Sequence, residues 1–365
     1  MTAVYIITVI LILAVLILVH EFGHFISAKL IGVPVKIFSI GFPAPHVPPL
    51  YKFQWGETEC QINIILLGGF CAFMDDDPET NKETDPNDRR YLKNRSALEK
   101  LWVISAGVLA NAVFSYIVLV VMVFTLGVSS FFPKDGVRIV EPPAADTPAY
   151  KAGIKAGDRL ISVDNVLLKR TKNKETTDVL KDLIEKNKGK TVKLAIERKH
   201  KILDVMVTPS KEGRIGVSIT PDMKEVRRPI QNVFEPFIIG GTTFANITVR
   251  LIDVLGKLFT FQIGFNQIGG PIAVGKMGVD IAENDPTQLF IFTALIGIEL
   301  VILNLLPIPA LDGGHIFFIL LEIVRRKPLP KKLEETLLYI GFVLLICLGV
   351  VLIFKDLYTT FTGRM

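Results

Sequence analysis

The sequence predicts a multi-pass α-helical membrane protein with four transmembrane helices, a membrane-associated β-hairpin and one inserted α/β-type domain. Three observations lead there. Half of the 365 residues are hydrophobic and the mean hydropathy is +0.45, more than one small soluble core requires. The apolar residues are gathered into long runs without charge, the pattern of segments that cross a bilayer. From Lys134 to about Ser210 the composition turns soluble, over a length that suits one small module.

The first span occupies residues 1–32. Ala3 to Val19 carries no charge, and His20-Glu21-Phe22-Gly23-His24 follows in its last turns. On a helix His20 and His24 lie one turn apart on one face and can share a metal, with Glu21 beside them to deprotonate a metal-bound water. Placing an ionisable group at bilayer depth costs roughly 2.5–3.5 kcal/mol, so such a cluster reads as functional. No Lys or Arg precedes the span and no small-residue cleavage site follows it, so it is expected to stay in the membrane. Cys60, Cys71 and Cys347 form no C-x-x-C pair, which leaves a metal to His and carboxylate ligands. The net charge of +5 is dispersed, which excludes a nucleic-acid-binding arm.

Residues 33–73 form the hairpin region. Gly32, Pro34 and the Pro-rich stretch 43–49 stop the helix. Tyr51, Phe53 and Trp55 alternate with Lys52 and Gln54. After Gly56-Glu57, Cys60, Ile62 and Ile64 alternate with Gln61 and Asn63, so period two surrounds a turn. The hairpin is expected to dip into the membrane beside the site, with Ile62 and Ile64 on an edge to which an extended substrate strand adds. His46 is read as a surface histidine. Residues 74–99 form a cytoplasmic loop in which Asp75-Asp76-Asp77 faces solvent. The second span lies in 100–132, with Ser105, Gly107, Asn111 and Ser115 near helical spacing. Such a stripe signifies close helix packing, and Asn111 can also point into a site.

Residues 133–210 are the inserted domain. Two glycines in Lys151-Ala-Gly-Ile-Lys-Ala-Gly-Asp158 frame a tight turn before a strand. Val179, Leu180, Leu183 and Ile184 mark a helix face, and Val192, Leu194, Ile196, then Val205 and Val207, mark two strands. Lys169, Lys172, Lys174 and His200 are read as a solvated face. Residues 211–285 are an extracytoplasmic amphipathic region, whose helix sets Asn246, Arg250, Asp253 and Lys257 opposite an apolar face and is expected to lie on the bilayer surface. The third span, 286–323, contains Glu299 and Asp312 and is broken by Asn304-Leu-Leu-Pro307-Ile-Pro-Ala-Leu-Asp312-Gly-Gly-His315. Irregular backbone at membrane depth requires protein or a watered cavity around it, so the break points at a site.

The basic loop 324–335 belongs in the cytoplasm by the positive-inside rule, and 336–365 holds the fourth span and the C-terminal residues. Alternation then sets both termini and the inserted domain outside the cytoplasm. It also brings His20, His24 and Asp312 to one depth in the cytoplasmic half of the bilayer. Three protein ligands and an open position suit catalytic zinc, with Glu21 as general base for peptide hydrolysis. Glu299 and His315 receive no role.

With these motifs in place, the chain resembles the site-2 protease family, in particular the bacterial type that carries a PDZ domain and processes anti-sigma factors. The carriers are His20–His24, Asn304 to Gly313, Gly107-x-x-x-Asn111, Gly270-Pro271-Ile272 and the A-G-I-x-x-G-D stretch of the inserted domain. The resemblance implies an intramembrane zinc metalloprotease of the bacterial inner membrane. Its substrates would be transmembrane segments pre-cleaved by another protease, of the anti-sigma factor or remnant signal peptide kind. His20, His24 and Asp312 are implied as zinc ligands, Glu21 as catalytic base, and Asn304, Asn111 and Pro307 as substrate-binding or site-organising residues. The PDZ domain is implied to capture a new C-terminus or to exclude bulky substrates. Two departures stand out: Val108 replaces a proline common after the glycine in the second span, and one PDZ module is found where the longest relatives carry two. A zinc-binding transporter or scaffold is the competing class. The second and fourth spans lack the polar residues a transporter needs, and a pure binding site has no use for Glu21.

Overall fold

The computed structural model describes residues 2–42, 47–76, 85, 87–171, 174–198, 201–264 and 268–362. His46, Asp77, Lys172 and His200 lie outside the described residues. The chain forms two compact units, Met1–Leu126 with Ile230–Met365, and Gly127–Pro229.

The first unit begins with α1 (Thr2–Leu30). It stops at Gly32, whose φ of 75° lets Val33 N–H donate back to the Ala28 carbonyl at 2.9 Å. Four strands follow: β1 (Val35–Phe42), β2 (Tyr51–Trp55), β3 (Thr58–Ile62) and β4 (Ile65–Phe73). The expected hairpin is present as β2 and β3, with Trp55 opposite Thr58 and Tyr51 opposite Ile62. It is half of a four-stranded sheet in the order β2-β3-β1-β4, with β1 parallel to β3 and antiparallel to β4.

This corrects the expectation for Ile62 and Ile64. Ile62 is paired on both sides, with Tyr51 and with Ile40, and Ile64 lies outside the strands. The sheet edge packed on α1 is β4. Asp75 is also not a plain solvent-facing carboxylate: it accepts the Lys93 N–H at 2.9 Å, and partial burial raises its carboxyl pKa above the usual range. The next helix, α2 (Ala97–Leu126), runs close to α1, and a Cβ on Gly23 would come 2.4 Å from the Ala106 carbonyl oxygen.

The second unit contains β5 (Val128–Ile139), α3 (Pro148–Lys151), β6 (Arg159–Val163), β7 (Val166–Leu167), α4 (Thr176–Lys186), β8 (Val192–Arg198), β9 (Lys201–Val207) and β10 (Ile219–Arg228). The sheet order is β10-β5-β6-β8-β9, with β7 on β6, and Leu160, Leu180, Ile184, Leu194 and Ile196 fill its core. The unit is longer than 133–210 because β5 and β10 pair along their whole length, from Ile139 opposite Ile219 to Val128 opposite Arg228. Composition hides this: Val128 to Phe132 prolongs an apolar span, and its partner Lys224 to Arg228 is charged. Asp222, 2% exposed, joins the strands through Arg159 at 2.6 Å and Arg138 at 3.1 Å.

The first unit then resumes with α5 (Glu235–Phe259), α6 (Pro271–Asn284), α7 (Leu289–Leu305), α8 (Asp312–Arg325) and α9 (Lys331–Thr362). Among the described residues five helices are long and apolar enough to cross a membrane: α1, α2, α7 and α9, which lie in the four expected spans, and α5. Its polar face is as expected, with Lys257 and Asp253 paired at 2.6 Å, but its N-terminal half docks on α2 instead of lying free. Gly240 sits against Val120, and the Tyr116 hydroxyl donates to the Phe237 carbonyl at 3.2 Å. The third span divides into α7 and α8 at the break, where Ala310 takes a φ of 76°. Asp356 in α9, 1% exposed, accepts the N–H groups of Gly270 and Ala273 at 3.1 and 2.9 Å and so caps α6.

Replacing Asp222 with Ala removes one of the two carboxylates on Arg159, which keeps Glu197 at 2.7 Å, and should destabilise the second unit by about 1.5–3 kcal/mol. Arg138→Ala, which removes a half-exposed partner, should cost under about 1 kcal/mol. Limited proteolysis across a temperature series reads both.

Candidate metal centre

The site is built from α1, α2, β4 and α8. Helical spacing sets His20 and His24 on one face of α1, and their Nε2 atoms lie 3.2 Å apart. Asp312 reaches them from the first turn of α8, its Oδ2 3.2 Å from His20 Nε2 and 3.5 Å from His24 Nε2. These are the three ligand atoms that, among the described residues, converge on a point able to hold a metal ion. A tetrahedral zinc with bonds of about 2.0–2.1 Å sets its ligand atoms about 3.3 Å from one another, so the donor set fits zinc.

Hydrogen bonding selects a His24 tautomer suited to a metal. His24 Nδ1–H donates to the Val103 carbonyl at 2.9 Å, which leaves Nε2 with its lone pair for a metal. Asp312 Oδ2 is buried close to both rings without hydrogen-bond geometry, as expected of converging lone pairs. Asp312 also stands at the N-terminus of α8, where the helix dipole favours a carboxylate. It is therefore a helix-start residue and a member of the cluster at once.

Gly107 makes the approach possible. A Cβ there would lie 2.3 Å from His24 Nε2 and 2.9 Å from His20 Cε1. Glu21 lies in the same cavity, and its carboxylate accepts the backbone N–H of Cys71 on β4. The cavity, about 830 Å³, is also lined by Gly68 to Cys71, Asn111, Asn304 and His315. It extends past Phe318 and Ile319 on α8 toward Lys100, Glu322 and Glu334.

Of the residues singled out in the sequence, His20, Glu21, His24, Asp312, Asn304 and Asn111 therefore meet in one cavity. His315, one turn beyond Asp312, joins them. Pro307, Ile62, Ile64 and Glu299 do not line it. Sequence reasoning missed β4: its Gly68-Gly69 interrupts an apolar run that has no alternation, so periodicity could not reveal it.

The model of the peptidase family M50 matches residues 8–348. The chain belongs to peptidase family M50. A Nostoc sp. protein carrying the name "putative zinc metalloprotease" is 40% identical over 350 residues, covering 94% of this chain and 93% of its own. The chloroplastic membrane metalloprotease ARASP of Arabidopsis thaliana is 36% identical over 353 residues, covering 94% and 77%. A Clostridium perfringens protein named like the first is 32% identical over 356 residues, covering 97% and 98%. This M50 peptidase is a membrane metalloprotease, of the family to which the site-2 proteases belong.

Gly107→Ala should push the two rings apart and weaken metal affinity by about 10–100-fold, the range for disturbing a ligand's immediate support. Metal titration of the purified protein checks it, and unchanged affinity contradicts the geometry.

Proposed function

We propose that this M50 peptidase cleaves peptide bonds within the transmembrane segments of other membrane proteins, using one zinc ion held by His20, His24 and Asp312. The observation that carries the reading is the meeting of those three ligand atoms with Glu21 in a cavity among apolar helices. When bound, zinc acidifies a coordinated water toward neutral pH and polarises a carbonyl. Glu21 takes the proton of the attacking water and delivers it to the leaving nitrogen. The Cys71 N–H orients the Glu21 carboxylate for that exchange.

A substrate helix hides its peptide bonds in its own hydrogen bonds, so it must unwind before cleavage. The edge of β4 beside Glu21 is where an extended stretch adds as a further strand. This moves the recognition edge from Ile62 and Ile64 to Gly68–Cys71. Asn304 lines the same cavity and hydrogen-bonds the same backbone in this reading. With α5 taken as a helix lying against α2 and not as a crossing one, the short basic loop supports a site in the cytoplasmic half of the membrane and an extracytoplasmic inserted unit. The resemblance to PDZ-bearing site-2 proteases points to substrates already trimmed by another protease in a bacterial inner membrane. The inserted unit then excludes those that still carry a bulky outer domain.

Glu21→Gln should retain stoichiometric zinc and lose at least about 10²-fold in cleavage, whereas His24→Ala and Asp312→Ala should lose the zinc itself. Metal analysis with an assay on a trimmed transmembrane substrate separates the two effects. A photoreactive side chain at Phe70 should crosslink substrate and one at Ile62 should not. The reverse pattern would return recognition to the hairpin.

A further inference from the structure

One aromatic ring lies against the bare backbone of the two glycines in β4. A Cβ on Gly68 would come 2.0 Å from Cε2 of Phe42, and the φ of 143° at Gly68 disfavours a side chain there independently. The ring of Phe42, the last residue of β1, therefore rests on a strand position that carries no side chain. At the next residue, a Cβ on Gly69 would lie 3.1 Å from Cγ of Glu21. Phe42, Gly68, Gly69 and Glu21 all line the metal cavity. A ring that only filled space over a glycine would lie under its neighbours, but Phe42 keeps 45% of its surface open.

That placement bears on the substrate. In the proposed function, on which this step rests, an extended segment adds along Gly68–Cys71 with its scissile peptide beside Glu21. Directly opposed residues of paired strands have Cβ atoms about 4.5–5.5 Å apart, so each substrate side chain packs on what its partner position presents. Opposite Gly68 and Gly69 it meets no side chain of β4, only the Phe42 ring that already covers Gly68. We infer that Phe42 sets the size of the substrate residue beside the scissile bond. Gly, Ala or Ser fits next to the ring, whereas a branched or longer side chain collides with it. Relief of that collision would require the ring or the strand to move, and closely packed positions resist added methylenes for this reason. The substrate class is thereby narrowed to transmembrane segments with a small residue flanking the bond that is cut.

The test uses a trimmed transmembrane substrate whose cleavage site has been mapped by mass spectrometry. Each residue flanking the cut is made Ala and then Leu, and kcat/KM for the two forms is compared within one enzyme variant, so that any loss of folded enzyme cancels. The wild type should cut the Leu form at least about 10-fold more slowly at one flanking position, the lower end of what a methylene is worth in a pocket. Phe42→Ala should bring that ratio to within about threefold of unity, and Phe42→Trp should widen it beyond wild type. Phe42→Leu is measured too, so that an inactive Ala variant still leaves a ratio to read. A wild-type ratio under about threefold at every position overturns the inference, as does a Phe42→Ala or Phe42→Leu ratio equal to wild type. Inactivity of both variants also overturns it, since the ring is then part of the architecture. Glu21→Gln runs alongside: normal turnover there brings down the proposed function, whereas a dead Glu21→Gln beside unchanged ratios removes only the role of Phe42.

Discussion

The centre depends on how closely α1 and α2 approach each other. Lipid gives helices no hydrophobic reason to associate, so contact rests on small residues that let backbones meet. Gly23 presses on Ala106, and Gly107 leaves the space that the two imidazoles occupy. With the rings held there and His24 fixed by the Val103 carbonyl, Asp312 of the broken span approaches both Nε2 atoms. The span's irregular backbone is closely approached by neighbouring chain: Cβ atoms on Gly313, Gly314 and Gly341 would each come within 2.4 Å of a carbonyl oxygen of the break. Those glycines are the condition for an unwound segment at this depth, and Asp312 begins the helix that leaves it.

The polar atoms left without partners have a pattern of their own. His20 Nδ1, both amide atoms of Asn111 and Asp312 Oδ2 are buried and unpaired, and all belong to one cavity. Other buried carboxylates are answered, as where Asp356 caps α6 or Asp158 is gripped by Arg198 at 2.6 Å. The hydroxyls of Ser115 and Thr176 are also buried without a partner, but the cavity gathers four such atoms on three residues, as a site completed by a ligand does.

Much of the centre was legible because its chemistry is local. His20 to His24 declare themselves by spacing, and Asn304 to Asp312 by prolines and glycines inside an apolar run. What the sequence concealed was pairing at a distance. β1 and β4 flank a Pro-rich stretch and a hairpin, and neither alternates, so the sheet that brings the Cys71 N–H to Glu21 could not be read from periodicity. The ends of the inserted unit were hidden likewise, since β5 continues an apolar span and β10 is charged. The docking of α5 on α2 through Gly240, and the capping of α6 by a carboxylate 86 residues away, are tertiary facts with no local signal.

The central claim is that two imidazoles and one carboxylate hold the metal. X-ray absorption at the zinc edge of the purified protein tests this most directly, because it reports the identity and distance of the bound atoms. The account predicts nitrogen and oxygen scatterers alone, at about 2.0–2.2 Å, with outer-shell features of two imidazole rings. A sulfur scatterer at about 2.3 Å, which would bring Cys71 into the coordination, or a spectrum with fewer than two imidazoles, would contradict it.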